Sequence, residues 1–278
     1  VQARARGWKD GHLLTDRGAV PARCVVDATG WRAVVASSVD PTYVKREHLS
    51  CGLEAELPQP ASNHAQGHHF WAGLGTVWPG YAWSFPCGDR SRLGVIAYEE
   101  GSAAQGGISG GLRAALDAFL DGPGAPYWSE DGGAAWQPGQ GMPSAGKHLH
   151  GGFLPAAPRR AVVGDVITIG DAAGLCFALT GEGIRPAFAS ALVCGKLLQE
   201  TISGVITPAE ARRRYEKYTQ LRAPYWHLMR LLQRLVSHMS DRGLARYSVL
   251  AHPRLVFRFL MGQYLWPANP AVLGRPIV

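Results

Sequence analysis

The stretch Val166-Ile167-Thr168-Ile169-Gly170-Asp171-Ala172-Ala173-Gly174, followed after five residues by Thr180-Gly181-Glu182-Gly183-Ile184, decides the fold of this chain. A β-branched run reads as a buried strand, and here it stops at Gly-Asp. The small residues that follow let a ligand approach the backbone. The second glycine cluster opens a predicted helix, Glu182 to Ile202, carrying Ile184, Phe188, Leu192, Leu197 and Leu198. Asp171 can accept hydrogen bonds from ligand hydroxyls, and the free N–H groups of a helix starting near Gly183 suit an electron-rich or anionic group. Taken alone, the segment reads equally as a strand–turn–helix whose glycines serve turns only.

A second stretch of the same kind lies about 140 residues upstream, where Arg23-Cys24-Val25-Val26-Asp27 runs into Ala28-Thr29-Gly30. Apolar runs of this sort are buried on both faces, as in a parallel α/β sheet. Short strands precede it, Val1 to Gly7 and His12 to Thr15, joined by an Asp10-Gly11 turn. Between the two glycine motifs the character changes. Residues 37–145 are rich in Gly, Pro, Trp and Tyr, with strand-like segments at Leu49–Leu57, His69–Leu74, Tyr81–Phe85 and Leu93–Tyr98. One helix is predicted there, Ile108 to Leu120, with Leu112, Leu116, Phe119 and Leu120 on one face. After the second motif, Thr207-Pro208-Ala209-Glu210 starts a helix in the capping-box pattern. Pro224 breaks it, and two amphipathic segments follow, Tyr225 to Met239 and Leu255 to Leu265. The expected organisation is one α/β domain in two pieces, 1–40 and 146–204, with an antiparallel-sheet domain inserted at 41–145 and a C-terminal helical region at 205–278.

Composition excludes several classes. With 46% hydrophobic and 18% charged residues among 278, the chain is globular rather than disordered. Its five cysteines are an odd number with no C-x-x-C pair, which argues against a disulfide scaffold or a structural zinc. No run of 18 apolar residues and no signal peptide is present. The net charge of +7 is uneven: residues 201–278 hold 12 Lys/Arg against 3 Asp/Glu. Such a tail suits an anionic membrane surface, and no nucleic-acid motif accompanies it. His68-His69 point to opposite sides of a strand, and His148 and His150 share a face without a Cys or carboxylate partner, so no metal site is expected. Cys176 reads as a small buried hydrophobe and Glu182 as a partner of the helix dipole.

The pair Val25-Val26-Asp27-Ala28-Thr29-Gly30 and Gly170-Asp171-Ala172-Ala173-Gly174 resembles the two inner flavin motifs of FAD-dependent oxidoreductases. The longer string through Thr180-Gly181-Glu182-Gly183-Ile184 is similar to the geranylgeranyl reductase-like family within them. The resemblance covers nearly the whole chain. It implies the two-domain flavoprotein type, with a three-layer FAD-binding domain, and maps cofactor contacts onto Thr29, Gly30, Gly170, Asp171, Ala172, Gly181, Gly183 and Ile184. Asp171 would meet the FAD ribityl–pyrophosphate region, and Gly183 and Ile184 would face the flavin N1–C2 carbonyl. The family has Pro before Thr-Gly-Glu-Gly-Ile, where this chain has Phe177-Ala178-Leu179.

A third match is Tyr81-Ala82-Trp83-Ser84-Phe85-Pro86, which fits the family's aromatic substrate motif, with Gly94 after the expected gap. The family continues Gly-x-Gly, whereas this chain reads Gly94-Val95-Ile96. Tyr81, Trp83 and Phe85 alternate and so share one strand face, which is either a core face or the wall of an apolar pocket. The resemblance makes Tyr81, Trp83, Phe85, Pro86 and Gly94 the expected substrate residues. The G-x-G-x-x-G fingerprint that holds a dinucleotide pyrophosphate stands nowhere in residues 1–278. The family carries it ahead of the strands that open this chain, which starts at Val1, so the expectation is a flavoprotein lacking its first βαβ unit.

The resemblance implies reduction of carbon–carbon double bonds in an isoprenoid or lipid-like substrate, with electrons from NAD(P)H or a ferredoxin-like donor and a proton from a group the sequence does not name. The cysteine usage suits a reducing compartment and the basic, apolar tail an anionic surface, so the expectation is a cytoplasmic protein that docks peripherally on the inner face of the membrane. An FAD monooxygenase or halogenase on the same scaffold is the alternative. Halogenases begin the aromatic motif with Trp and have Ile before Pro, and hydroxylases read Ala-Asp-Gly at the first motif. Tyr81, Phe85 and Thr29 stand at those positions and favour the reductase. A fragment with no activity of its own is the third reading.

Overall fold

A computed structural model describes residues 2–58, 69–71, 79–99, 111–124, 149–240 and 243. His148, residues 108–110 of the predicted helix and the Leu255–Leu265 segment lie outside them. The chain divides into two compact units, one holding 1–48 with 155–232, the other 49–154 with Gln233–Ser248.

The first unit is built on two parallel strands, β4 (Val25–Asp27) and β11 (Val166–Thr168), in register Val25↔Val166 through Asp27↔Thr168. A short strand β10 (Val162–Val163) adds to β11 as a hairpin, giving the order β10-β11-β4. The apolar runs end here as the sequence predicts. Val25, Val163 and Val166 are buried beneath a six-residue helix, α1 (Val34–Val39), together with Val35, Ala36 and Tyr43. A separate meander, β1 (Ala5–Lys9), β2 (His12–Thr15) and β3 (Gly18–Pro21), packs Ala5, Trp8 and Leu13 on the same cluster. β3 has no place in the sequence reading, because Gly-Ala-Val-Pro carries neither alternation nor a hydrophobic run; all four of its residues are exposed.

Helix α3 (Ile184–Ile202) buries Val193, Cys194 and Leu197 against Ile167. Helix α4 (Pro208–Gln220) completes this layer with Ala211, Tyr215 and Tyr218, and starts where the capping box predicts, Thr207 Oγ1 accepting from Glu210 N. Three of the apolar residues that mark α3 in the sequence face outward instead: Ile184, Phe188 and Leu192 are 72%, 69% and 58% exposed. Helix α5 (Ala223–Ser237) begins beside Pro224, and its Trp226 stacks on Phe177 with ring centroids 4.6 Å apart.

The second unit is a five-stranded antiparallel sheet of order β6-β7-β8-β5-β9: β5 (Leu49–Pro58), β6 (His69–Trp71), β7 (Gly80–Cys87), β8 (Arg90–Ala97) and β9 (Leu149–Pro155). Helix α2 (Gly111–Asp121) covers one face. Its Leu112, Leu116, Phe119 and Leu120, the face read from the sequence, are buried against Leu53, Ala82, Leu93 and Val95. Each side chain buried this way contributes about 1.5–3 kcal/mol. No helix among the described residues is long and apolar enough to cross a membrane.

Candidate functional site

The first glycine motif is held by a carboxylate that the motif itself supplies. Asp27 is fully buried at the end of β4. Its Oδ1 accepts from Thr29 N at 2.9 Å and Thr29 Oγ1 at 2.6 Å, and its Oδ2 accepts from Val35 N at 2.9 Å and Ala36 N at 2.8 Å. Thr29 Oγ1 in turn accepts from Val34 N at 2.7 Å. The opening N–H groups of α1, which have no intrahelical partners, are thus satisfied by two side chains. Gly30 turns the chain between them at φ +71°. The Thr29 hydroxyl is therefore engaged by bonds within the protein although the residue is exposed, and Asp27 is an internal clamp that sequence reading did not separate from the motif around it.

The second motif is organised differently. After β11 the chain makes a tight turn over Gly170–Ala173. Gly170 donates its N–H to Ser190 Oγ at 3.0 Å, and Ala172 is fully buried with its carbonyl accepting from Tyr43 Oη at 3.0 Å. Both of these groups are spent on building the turn. Gly174, at φ +69°, is required by crowding: a Cβ there would lie 2.2 Å from Ala157 O.

Asp171 is the residue that the turn presents. Its carbonyl accepts from Arg159 Nη1 and from Gly174 N, but its carboxylate accepts no hydrogen bond among the described residues. Burial raises its pKa above the ordinary carboxylate value, and the Arg159 charge opposes that rise. A mostly buried carboxylate without a donor is costly, and such a group is a binding atom in waiting. It faces Gly183, where an added Cβ would sit 2.9 Å from Asp171 Oδ1.

Gly183 is also the N-cap of α3. The cap is sparsely filled. Glu182 Oε1 takes Arg185 N at 2.9 Å and Oε2 pairs with the Arg185 guanidinium, while Pro186 has no N–H. Gly183 N and Ile184 N have no partner among the described residues. Glu182 is thereby the helix-end partner expected from sequence. Gly181 sits in the turn that precedes it, at φ +64°, its N–H donating to Phe177 O. Cys176 is buried beside this cap, and burial together with the Asp171 and Glu182 charges pushes its thiol well above the usual range, so it is a neutral, inert group.

Two residues with no signal in the sequence tie the motifs together. Arg159 Nη1 reaches Trp31 O at 2.8 Å, next to Gly30, as well as Asp171 O at 3.2 Å and Ala172 O at 3.4 Å. Tyr43 Oη donates toward Arg160 O at 2.6 Å and lies 3.2 Å from Thr168 Oγ1; burial pushes its pKa up to about 12.

In the second unit the aromatic motif lies on β7, on the face opposite α2. Tyr81, Trp83 and Phe85 are half-buried with successive centroids 5.9 and 6.1 Å apart, so they form a ladder and not the core face. Trp83 Nε1 donates to Glu54 Oε2 at 3.1 Å. Gly94 is the register partner of Trp83, and a Cβ there would lie 2.1 Å from Trp83 Cζ2. The glycine is thus the floor under the indole. Pro86 ends the ladder, half-buried.

No protein-family model matches the chain, and no curated protein matches it in sequence. Solved structures do match. A geranylgeranyl bacteriochlorophyll reductase-like protein from Thermoplasma acidophilum superimposes with a TM-score of 0.72 at 18% identity, over 99% of this chain and 66% of its own. HpxO of Klebsiella pneumoniae, crystallised with FAD and uric acid, gives 0.59 at 19% identity over 94% and 65%. PqsL of Pseudomonas aeruginosa, a probable FAD-dependent monooxygenase, gives 0.55 at 19% over 86% and 64%. The chain therefore has the mixed α/β fold of these flavoproteins, and spans just under two thirds of the length of these structures.

Proposed function

We propose that this chain is an FAD-dependent oxidoreductase that reduces carbon–carbon double bonds of an isoprenoid or similarly lipidic substrate. The observation that carries the flavin is the Asp171 carboxylate, mostly buried, with no donor among the described residues, and facing a helix cap whose Gly183 and Ile184 N–H groups have no partner among those residues. A polyhydroxylated chain ending in a heteroaromatic ring fits that pair of features, since Asp171 accepts from hydroxyls and the helix end donates to a carbonyl or an anionic ring. Bound there, FAD would supply two-electron redox chemistry, drawing on NAD(P)H or a ferredoxin-like donor. The chain's own contribution is orientation. Asp27 and Arg159 fix the two glycine turns, Gly183 lets the ligand approach the backbone, and the positive end of α3 stabilises charge that develops on the ring. In the second unit, the Tyr81–Trp83–Phe85 ladder offers an apolar wall for the substrate chain.

The matching monooxygenase supports a second reading, oxygen-dependent hydroxylation or halogenation on the same scaffold. Turnover with and without oxygen separates the two. The flavin assignment is tested by titrating FAD into the 278-residue chain and following flavin fluorescence. Asp171→Ala should weaken binding about tenfold or more, the loss expected for hydrogen bonds to a charged acceptor. Gly183→Val should do the same by closing the approach. Binding unchanged in both variants overturns the assignment.

A further inference from the structure

Within the first unit lies a cavity of 350 Å³ whose lining does not include Asp171, near the lower end of ordinary ligand pockets, which run from about 300 to 1,000 Å³. Six basic side chains line it: Lys45, His48, Arg159, Arg160, His227 and Arg230. They come from three separate stretches, the segment after α1, the turn before β10, and α5. Asp40 is the single carboxylate among the lining residues. It is already committed, its Oδ1 accepting from Thr42 N at 2.9 Å and Thr42 Oγ1 at 2.7 Å and its Oδ2 pairing with Arg160.

Four permanent cations and one carboxylate are thus among the lining residues, before either imidazole is counted. Lys45 makes no ion pair among the described residues. The half-buried guanidinium of Arg159 uses Nη1 on three carbonyls and leaves Nε and Nη2 without a hydrogen-bond partner among those residues. Like charges gathered in a concavity repel one another and focus a positive potential, a cost that an anion removes. Cations arriving from several directions suit a polyanion with oxygens on every side, and guanidinium forks match phosphate oxygens in pairs. A single carboxylate would satisfy one fork and leave the others facing each other.

We infer that this cavity binds a phosphate ester through Lys45, Arg159, Arg160 and Arg230, at a site separate from the Asp171 and Gly183 features. The site does not depend on the flavin reading, and its test contains no flavin. Inorganic pyrophosphate titrated calorimetrically into the chain at low ionic strength should give saturable heat. Lys45→Glu and Arg230→Gln should each weaken it about tenfold, the equivalent of one charge-assisted hydrogen bond. Arg213→Gln, whose guanidinium is tied to Glu210 on α4, should leave it unchanged. Arg160→Gln, at an exposed position, serves as a further variant, and matching melting temperatures certify that all of them fold. Two arms identify the source. Binding of glycerol 3-phosphate marks a soluble ester, whereas flotation only with phosphatidylcholine vesicles doped with phosphatidic acid, lost in Lys45→Glu, marks a lipid headgroup. Either supports the site. No saturable heat and no flotation, equal affinity for acetate, or wild-type binding in both Lys45→Glu and Arg230→Gln would overturn it.

Discussion

At the scale of single residues, Asp27, the last residue of β4, and Asp171, three residues beyond the end of β11, behave in opposite ways. Asp27 is saturated by four internal donors, whereas the Asp171 carboxylate has none among the described residues. This difference sets a pH signature. Burial raises the folded pKa of Asp171 above the ordinary 3.8. A group shifted upward stabilises the fold below its unfolded pKa and loses that contribution as pH rises through the folded value. The ionised carboxylate is therefore a cost at neutral pH. Asp171→Asn should melt higher than the wild type at pH 7, and the gap should close as the pH falls toward 3.8, while FAD affinity drops at every pH. Melting curves across that range check it. An equal or lower melting temperature at pH 7 would mean that a donor already serves the carboxylate. The sequence offered Asp171 as an acceptor for ligand hydroxyls, but the clamp formed by Asp27 was not legible: Asp-Ala-Thr-Gly reads as a turn motif, and its partners include backbone groups of Val35 and Ala36, which sequence does not distinguish.

At the scale of elements, the aromatic strand and its neighbour form a matched pair. Gly94→Ala pushes a methyl group into the Trp83 indole, an overpacking cost of about 1–3 kcal/mol. In a Trp83→Ala background the same change should cost close to nothing, so thermal melts of the two single variants and the double should be strongly non-additive. Additivity would show that the indole leaves Gly94 in solution. The periodic elements were readable: β2 and the buried face of α2 match their sequence spacing residue for residue. β3 and β9 were not, because Gly18-Ala-Val-Pro and Leu149-His-Gly-Gly-Phe carry no alternation and are strands only through their neighbours. The outward face of α3 was not readable either. Its Ile184, Phe188 and Leu192 have the four-residue spacing of a core stripe, yet the sheet takes the neighbouring stripe of Ala189, Val193 and Leu197. Arg159 and Tyr43 escaped notice for a simpler reason, since their partners lie up to 129 residues away.

At the scale of the whole molecule, the membrane-surface proposal for the basic C-terminal region is testable on α5. Trp226 and Met229 are buried, while Leu228, Leu231 and Leu235 are 43%, 53% and 52% exposed, an apolar stripe at helical spacing. If α5 lies on an anionic interface, Leu231→Glu should lower flotation with phosphatidylserine vesicles severalfold without changing the melting temperature, and added salt should reduce flotation of the wild type. Equal flotation of both proteins removes the membrane role from this helix. The parallel pairing of β4 with β11 has a separate consequence, in the order of events on the ribosome. Val25 and Val166 are neighbours in the sheet but about 140 residues apart in the chain. At about 5–20 residues per second, roughly seven to thirty seconds of synthesis separate them. Throughout that interval β4 lacks its β11 partner, while β1–β3 can already pair as a local meander and β6–β8 as successive hairpins. The hairpin-built pieces are thus free to form first, and β4 waits for β11 until Val166 has been made.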